Sequence, residues 1–291
     1  MQSYLRRIIG WEIIEQQLDT VRYLQNKTID ITKFPKATGS LRQVQLADTE
    51  LLRIVCQILE KNNITYWIDY GTLLGAIRHK GFIPWDDDLD ICVLREQYSM
   101  AREILYKELT AYKIFDIYIN EPNDKRIGIC IWKAGCILDV FPMDNVDSST
   151  VTDKAELKKR SRKYEIWYKS KCDSKSIEEL RKMKYEMIGK PNIENPYWYH
   201  NPEFACDQTV FENSIIFPLK KVFFEGYEFY APNDVDAYLK EEYDDYMSLP
   251  KNKCESHTTG GLKISDFSAH YRTDMKKLIV ELKNINPLCD K

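Results

Sequence analysis

Apolar positions recur along this chain at two spacings, one helical and one alternating, and the switches between them mark the elements. Ile8, Ile9, Trp11, Ile13, Ile14, Leu18, Val21 and Leu24 fall mostly three and four apart among charges, which predicts an N-terminal amphipathic helix. An irregular link follows around Pro35 to Gly39. Leu41, Val44, Leu51, Leu52, Val55, Ile58 and Leu59 predict a second helix over 41–61, stopped at Asn62-Asn63. Ile64 to Asp69 reads as a short strand, Gly71-Thr72 as a tight turn, and Leu73 to His79 as a short helix closed by Gly81. Leu89 to Leu94 alternates as the next strand, 98–112 is helical, and Ile114 to Ile119 is extended. Arg126 to Trp132 and Cys136 to Phe141, joined through Ala134-Gly135, predict a β-hairpin. A charged helical region spans about 152–190, with aromatic loops through 217. A strand pair around Val222 to Phe229, a helix Val235 to Tyr243 and a polar tail complete the chain. With no internal repeat, the pattern predicts an α+β core with helical and loop additions.

At 291 residues and 44% hydrophobic, the chain is long enough to bury a substantial core. Its 42 basic and 45 acidic residues give a formal net charge of -3 and are mixed along the sequence, which argues against nucleic acid as a partner. Eight cysteines form no CxxC pair and several sit in apolar runs, so they read as buried thiols in a reducing compartment. The N-terminus lacks a signal-peptide apolar region, and no apolar run reaches the roughly 18 residues that span a bilayer. These features predict a cytoplasmic protein. The N-terminal helix could dock on its own core, on a second subunit or on the inner face of the membrane.

One stretch changes the picture. In Trp85-Asp-Asp-Asp-Leu-Asp-Ile91, four carboxylates precede an apolar strand, and the two-residue period puts Asp88 and Asp90 on one face. Each like-charge pair at 4 Å costs about 1 kcal/mol in water and about 4 near a protein surface, so the group needs a counter-ion or protons. A hard divalent cation such as Mg²⁺, with Mn²⁺ as the alternative, takes such oxygen ligands; a solvated acidic loop is the plain alternative. An EF-hand is excluded, because Ile91 and Gln97 stand where the loop needs Gly and Glu. Upstream, Gly71-Thr72 opens a helix whose backbone N–H groups and hydroxyl suit an anion, with Arg78, His79 and Lys80 near its far end. Asp139, in the apolar run Cys136-Ile-Leu-Asp-Val-Phe141, is a costly place for an ionised side chain without a partner. It is the candidate third carboxylate for phosphoryl transfer, and a strand-end acid capping a loop is its plain alternative.

The run from Tyr66 to Ile91, the Leu138-Asp-Val-Phe-Pro142 segment, and Phe224 to Pro232 with Tyr243-Asp-Asp-Tyr-Met-Ser-Leu-Pro250 together resemble the LicD family. That family comprises phosphocholine transferases of bacterial surface glycans, with fukutin-related ribitol-phosphate transferases as distant relatives. The resemblance runs from about Leu41 to about His257 and implies a nucleotidyltransferase-like mixed sheet flanked by helices. It divides the chain into an N-terminal helix and linker (1–40), a LicD-like catalytic domain (41–261) and a C-terminal tail (262–291). It also implies that Gly71 and Thr72 hold phosphate, that Asp88, Asp90 and Asp139 surround Mg²⁺, and that Asp86 matches a further family acid. The chain departs from the pattern at Tyr243-Asp-Asp245 and around Lys253 and His257, where donor and acceptor contacts are expected.

The activity implied is metal-assisted transfer of phosphocholine or a polyol phosphate from a CDP-activated alcohol. The acceptor would be a hydroxyl of a cell-surface glycan or lipid-linked oligosaccharide, of the kind found in lipopolysaccharide, capsule or teichoic acid. Aromatic faces, Tyr197-Trp-Tyr199 among them, would suit choline, although such a segment more often packs. A metal-dependent glycosyltransferase using Asp88 and Asp90, a nucleotidyltransferase attacking the α-phosphorus, and a non-enzymatic glycan-binding module are the alternatives.

Overall fold

The computed structural model describes residues 30–119, 127–131, 135–200, 202–203, 209–248 and 274–288. The alternation at Leu89 becomes strand β2 (Leu89–Leu94), and the main sheet extends to both sides of it. β1 (Tyr66–Ile68) pairs with it antiparallel, and β5 (Cys136–Asp147) pairs with it parallel. β4 (Ile127–Ile131) forms the expected hairpin with β5, and β3 (Asp116–Ile119) lies outside β4. β6 (Pro196–His200) pairs with the far half of β5, and β7 (Val210–Glu212) with β6. β8 (Lys220–Phe224) and β9 (Tyr227–Ala231) form a separate hairpin.

The helices are α1 (Gly39–Lys61), α2 (Tyr70–His79), α3 (Arg95–Thr110), α4 (Lys154–Lys171), α5 (Ile177–Met187), α6 (Asn213–Ile216), α7 (Val235–Tyr243) and α8 (Met275–Lys283). The result is the mixed sheet flanked by helices that the sequence predicts. Two readings change. Tyr197 to Tyr199, expected in a loop, belong to β6, because β5 outruns its hairpin partner and leaves an open edge at Met143 to Asp147. Trp198 and Tyr199 are buried there, so they pack rather than face a ligand. The stretch expected to be a polar tail contributes α8, whose Leu278 and Leu282 join the core while Arg53 of α1 donates to the Leu282 and Ile285 carbonyls. Ile8 to Leu24, Lys253 and His257 lie outside the described residues.

One face of the sheet is apolar. Leu89, Ile91 and Val93 of β2, Leu138 and Val140 of β5, and Ile127 and Ile129 of β4 are fully buried. α1 and α3 pack on β5, and Tyr98 of α3 donates to the Val140 carbonyl (2.8 Å). Each such side chain taken from water contributes about 2 kcal/mol. A second apolar cluster, with Val146, Leu157, Tyr164, Tyr168 and Ile188, lies under α4 and α5. Beside it Arg95 (2.8 Å) and Lys184 clamp Asp144 of β5. Burial alone would raise the Asp144 carboxyl, but these two cations hold it at about 2. Cys56, Cys92 and Cys136 are buried thiols outside any disulfide, as expected. No described helix is long and apolar enough to cross a membrane.

The segment Gly81 to Asp88, which connects α2 to β2, is held from three sides. A Cβ on Gly75 of α2 would stand 2.5 Å from the Gly81 carbonyl oxygen and 3.2 Å from the Ile83 nitrogen, so only glycine admits this approach. Gln45 of α1 donates to the Asp86 carbonyl (2.9 Å). Glu225, at the β8–β9 turn, accepts from the Phe82 N–H (3.2 Å) and pairs with Arg42 (2.6 Å) and Lys36 (2.8 Å). Gly75→Ala is expected to lower unfolding stability by about 1 to 3 kcal/mol, because backbone rather than a flexible side chain must give way. Urea denaturation with an unchanged m-value would check this.

Candidate active site

The acid run is brought together with Asp139 by strand register. In the parallel β2–β5 pair Asp90 stands directly beside Asp139, and on the other side of Asp139 the partner is Gly128 of β4, which has no side chain. Asp90 and Asp139 thus share the face opposite the apolar one. Asp86, Asp87 and Asp88 each place a carboxylate oxygen within 4.8 Å of the others. Asp87, which a strand pattern would turn away, is therefore part of the acidic group, because the chain there is not yet a strand and β2 starts only at Leu89.

Burial and mutual repulsion act together on these groups. Burial pushes the Asp90 carboxyl well above its ordinary range, and the charges of Asp88, Asp139, Asp86 and Asp69 push it further. Burial likewise raises Asp86, with Asp88 and Asp87 adding and Arg78 offsetting part of the effect. Asp48 of α1, fully buried against Cys136 and Ile137 at the start of β5, is raised by burial and then by Asp88 and Asp87.

Gly71 and Thr72 lie in the first turn of α2 rather than in a turn before it; the helix starts at Tyr70, which takes a left-handed φ of 42°, and not at Leu73. A Cβ on Gly71 would lie 2.8 Å from Asp86 Oδ2, so the missing side chain lets the acid reach the helix N-terminus. The Thr72 hydroxyl accepts from the Asp90 N–H (2.8 Å), which ties α2 to β2. The basic residues at the far end of α2 behave differently from one another. Arg78 is buried, donates to the Tyr246 carbonyl (2.8 Å) and acts on Asp86. His79 accepts from Arg78 Nε (3.1 Å), and burial followed by the Arg78 charge lowers it to about 4, so it is neutral at pH 7 and carries no charge to a phosphate. Lys80 is an exposed left-handed C-cap whose carbonyl accepts from the Glu225 N–H. The structure thus joins Arg78 electrostatically to the acids and leaves Lys80 closing the helix, a position the sequence reading gave to Gly81.

A buried polar group behind the α2 N-terminus was absent from the sequence reading. Asp69 accepts from Tyr238 (2.9 Å) through Oδ1, and its Oδ2 is bonded to His200 Nε2 (2.9 Å) and accepts from Cys92 Sγ (2.8 Å). His200 Nδ1 bonds Thr209 (2.5 Å), and its ring stacks on Tyr70 at 4.7 Å. Burial raises the Asp69 carboxyl, but His200 and its hydrogen bonds prevail and hold it below its usual value. His200 and Tyr238 stand 131 and 169 positions from Asp69, so no local pattern could have paired them. Among the described residues two sets of side chains could hold a metal, Asp86 with Asp87 and Asp88, and Asp69 with Cys92 and His200. In the second, the donor atoms are already engaged with one another at hydrogen-bond distances. The first set, with Asp90 and Asp139, offers only carboxylate oxygens, and the Arg78 charge offsets only part of the effect of burial and repulsion on Asp86, which fits a hard divalent ion.

A helix N-terminus facing acids on two neighbouring parallel strands is the arrangement expected of a nucleotidyltransferase-type domain. Residues 63–168, which contain α2 and every acid of the cluster except Asp48, match the LicD/FKTN/FKRP nucleotidyltransferase domain. Those residues form a LicD/FKTN/FKRP-type nucleotidyltransferase domain, and the chain beyond them is similar to a transferase of that kind. It is 28% identical to the lipopolysaccharide cholinephosphotransferase LicD of Haemophilus influenzae, over 72% of this chain and 92% of that protein. It is 52% identical to the uncharacterized protein RP689 of Rickettsia prowazekii over 32% of this chain and 31% of that one. With the human ribitol 5-phosphate transferase FKRP it shares 38% identity over 19% of this chain and 11% of the relative. The chain thus spans nearly all of the first relative and under a third of the other two.

Two outcomes are expected. Acids raised on folding bind protons that the unfolded chain has released, so their contribution is full below the unfolded value of about 4 and declines as pH rises through the folded value. Asp69, Asp144 and Glu225, which folding lowers, change only below that range. His79, which burial lowers from 6.5 to about 4, works the other way between those values, so the reading is a difference between proteins: Asp90→Asn should lose less stability than the parent as the pH rises above about 4, and Mg²⁺ should restore the metal-free parent, in calorimetric melts. His200→Ala takes from buried Asp69 the hydrogen-bond partner of its Oδ2 and should cost on the order of 3 kcal/mol, read by denaturant unfolding.

Proposed function

We propose that this chain transfers a substituted phosphate, phosphocholine or a polyol phosphate, from a CDP-activated alcohol to a hydroxyl of a cell-surface glycan, with Mg²⁺ as the metal and Mn²⁺ able to replace it. The observation that carries the reading is the register of Asp90 beside Asp139, with Asp86 and Asp88 at the mouth of the same strand and the α2 N-terminus against Asp86. The similarity to a cholinephosphotransferase over most of its length favours the phosphocholine form, and the FKRP match favours the polyol form.

Asp86, Asp88, Asp90 and Asp139 would hold the metal, which supplies charge neutralisation at the phosphates. The backbone of α2 at Gly71 offers N–H groups at the positive end of a helix, where a phosphate oxygen is favoured. Thr72 keeps that turn in register with Asp90 through its bond to the Asp90 N–H. Arg78 adds a positive charge that acts on Asp86 from within the fold. The acceptor hydroxyl attacks the distal phosphorus in line, the P–O bond to CMP breaks, and the hydroxyl proton passes to Asp139 when that residue acts as base. Holding acceptor and donor in this geometry is the larger part of catalysis for such a transfer.

Incubation with Mg²⁺, a panel of CDP-alcohols and candidate glycans should release CMP with one donor. Asp88→Asn and Asp139→Asn should each reduce the rate by at least about a hundredfold, as loss of charge stabilisation at a transferring phosphate does. Release of UDP from a UDP-sugar would indicate a glycosyltransferase, and pyrophosphate from a nucleoside triphosphate would indicate attack at the α-phosphorus. Silence across the whole panel would overturn the reading.

A further inference from the structure

The chain's charge is nearly balanced overall but concentrated locally in one helix. α4 carries eight Lys and Arg against two Glu, a net charge of +6 within a chain whose formal net charge is -3. Its inward side is fixed by Leu157, Tyr164 and Tyr168, all buried in the second apolar cluster. The exposed positions Lys159, Arg162, Lys163, Ile166, Lys169 and Ser170 recur three and four apart, so they form one stripe along the helix. That stripe contains no exposed acid. Glu165, buried beside it, pairs with Arg162 (2.7 Å) and Lys169 (2.6 Å) and holds those two cations in place. Lys159 and Lys163 have no carboxylate partner among the described residues. In the middle of the cations stands Ile166, 59% exposed, with half-buried Trp167 next to it stacked on Tyr164 at 5.7 Å.

We infer that the outward face of α4 is a docking surface for an anionic lipid bilayer. A solvated helix face needs no excess of one sign, and a surface built only for a soluble polyanion has no use for an isoleucine at its centre. Cations flanking an exposed apolar side chain fit the headgroup boundary, where the charges meet anionic lipid and the side chain enters the acyl margin. The inference stands on the charge and shape of α4 and does not depend on the chemistry assigned to the acids.

The full chain should sediment with vesicles of equimolar phosphatidylglycerol and phosphatidylcholine, stay in solution with phosphatidylcholine alone, and be released by salt. Neutralising Lys159 and Lys163 together (Lys159→Gln, Lys163→Gln) should weaken vesicle binding by a factor on the order of 25, roughly fivefold for each charge. Ile166→Ser should weaken it separately. All three positions are exposed, so the circular-dichroism melt should not move. Undiminished vesicle binding by the double lysine variant would place the contact elsewhere and overturn the assignment. So would binding to soluble heparin as tight as to vesicles, with Ile166→Ser changing neither.

Discussion

Crowded carboxylates are the constraint to which the rest of this structure answers. Asp86, Asp87, Asp88, Asp90 and Asp139 gather at the start of β2 and on the adjoining face of β5, with Asp48 and Asp69 near enough to interact with members of the group. Left in water these groups would separate, since each like-charge contact costs about 1 kcal/mol even there and more where water is excluded. The fold opposes that separation with apolar burial on the other face of the same strands, where Leu89, Ile91, Leu138 and Val140 fix the register that sets Asp90 beside Asp139. Hydrophobic packing on one side of β2 and β5 therefore maintains an electrostatic demand on the other, and a divalent cation would meet it.

The connection carrying the acids is held in the same spirit. Gly75 admits the backbone of Gly81 and Ile83, Gln45 takes the Asp86 carbonyl, and Glu225 reaches from a separate hairpin to the Phe82 N–H. Asp69, bonded to Tyr238, His200 and Cys92, anchors the opening of α2, where Tyr70 has a left-handed backbone and its ring stacks on His200. Such a conformation costs of order 1 to 3 kcal/mol and persists only where surrounding contacts impose it. The donors at the α2 N-terminus are thus set by residues that need touch no substrate.

Sequence alone disclosed the local part of this arrangement. Two-residue periodicity at Leu89 to Leu94 located β2 and its apolar face, the hairpin of β4 with β5 followed from its turn, and the burial of Asp139 marked it as a partner for the run. Long-range pairing escaped. Nothing in Tyr197-Trp-Tyr199 says that an exposed edge of β5 will recruit it as a strand, and the spacing of His200 and Tyr238 from Asp69 hides their meeting. The electrostatics of α2 escaped for another reason. Arg78, His79 and Lys80 look alike as a basic triplet, yet burial gives the first to the interior, leaves the second neutral and turns the third out to cap the helix.

β5 runs unbroken for 12 residues, from Cys136 to Asp147. Its first half bears Asp139 and pairs with β2 and β4, and its second half bears Asp144 and pairs with β6 under the roof of α4 and α5. One continuous strand thus belongs to both packed regions, and a hinge between them would have to break it. Domain closure of the kind that many transferases use to shut out water is denied to this architecture at that seam. Any rearrangement beside the acids is thereby left to the loops and side chains around this shared strand.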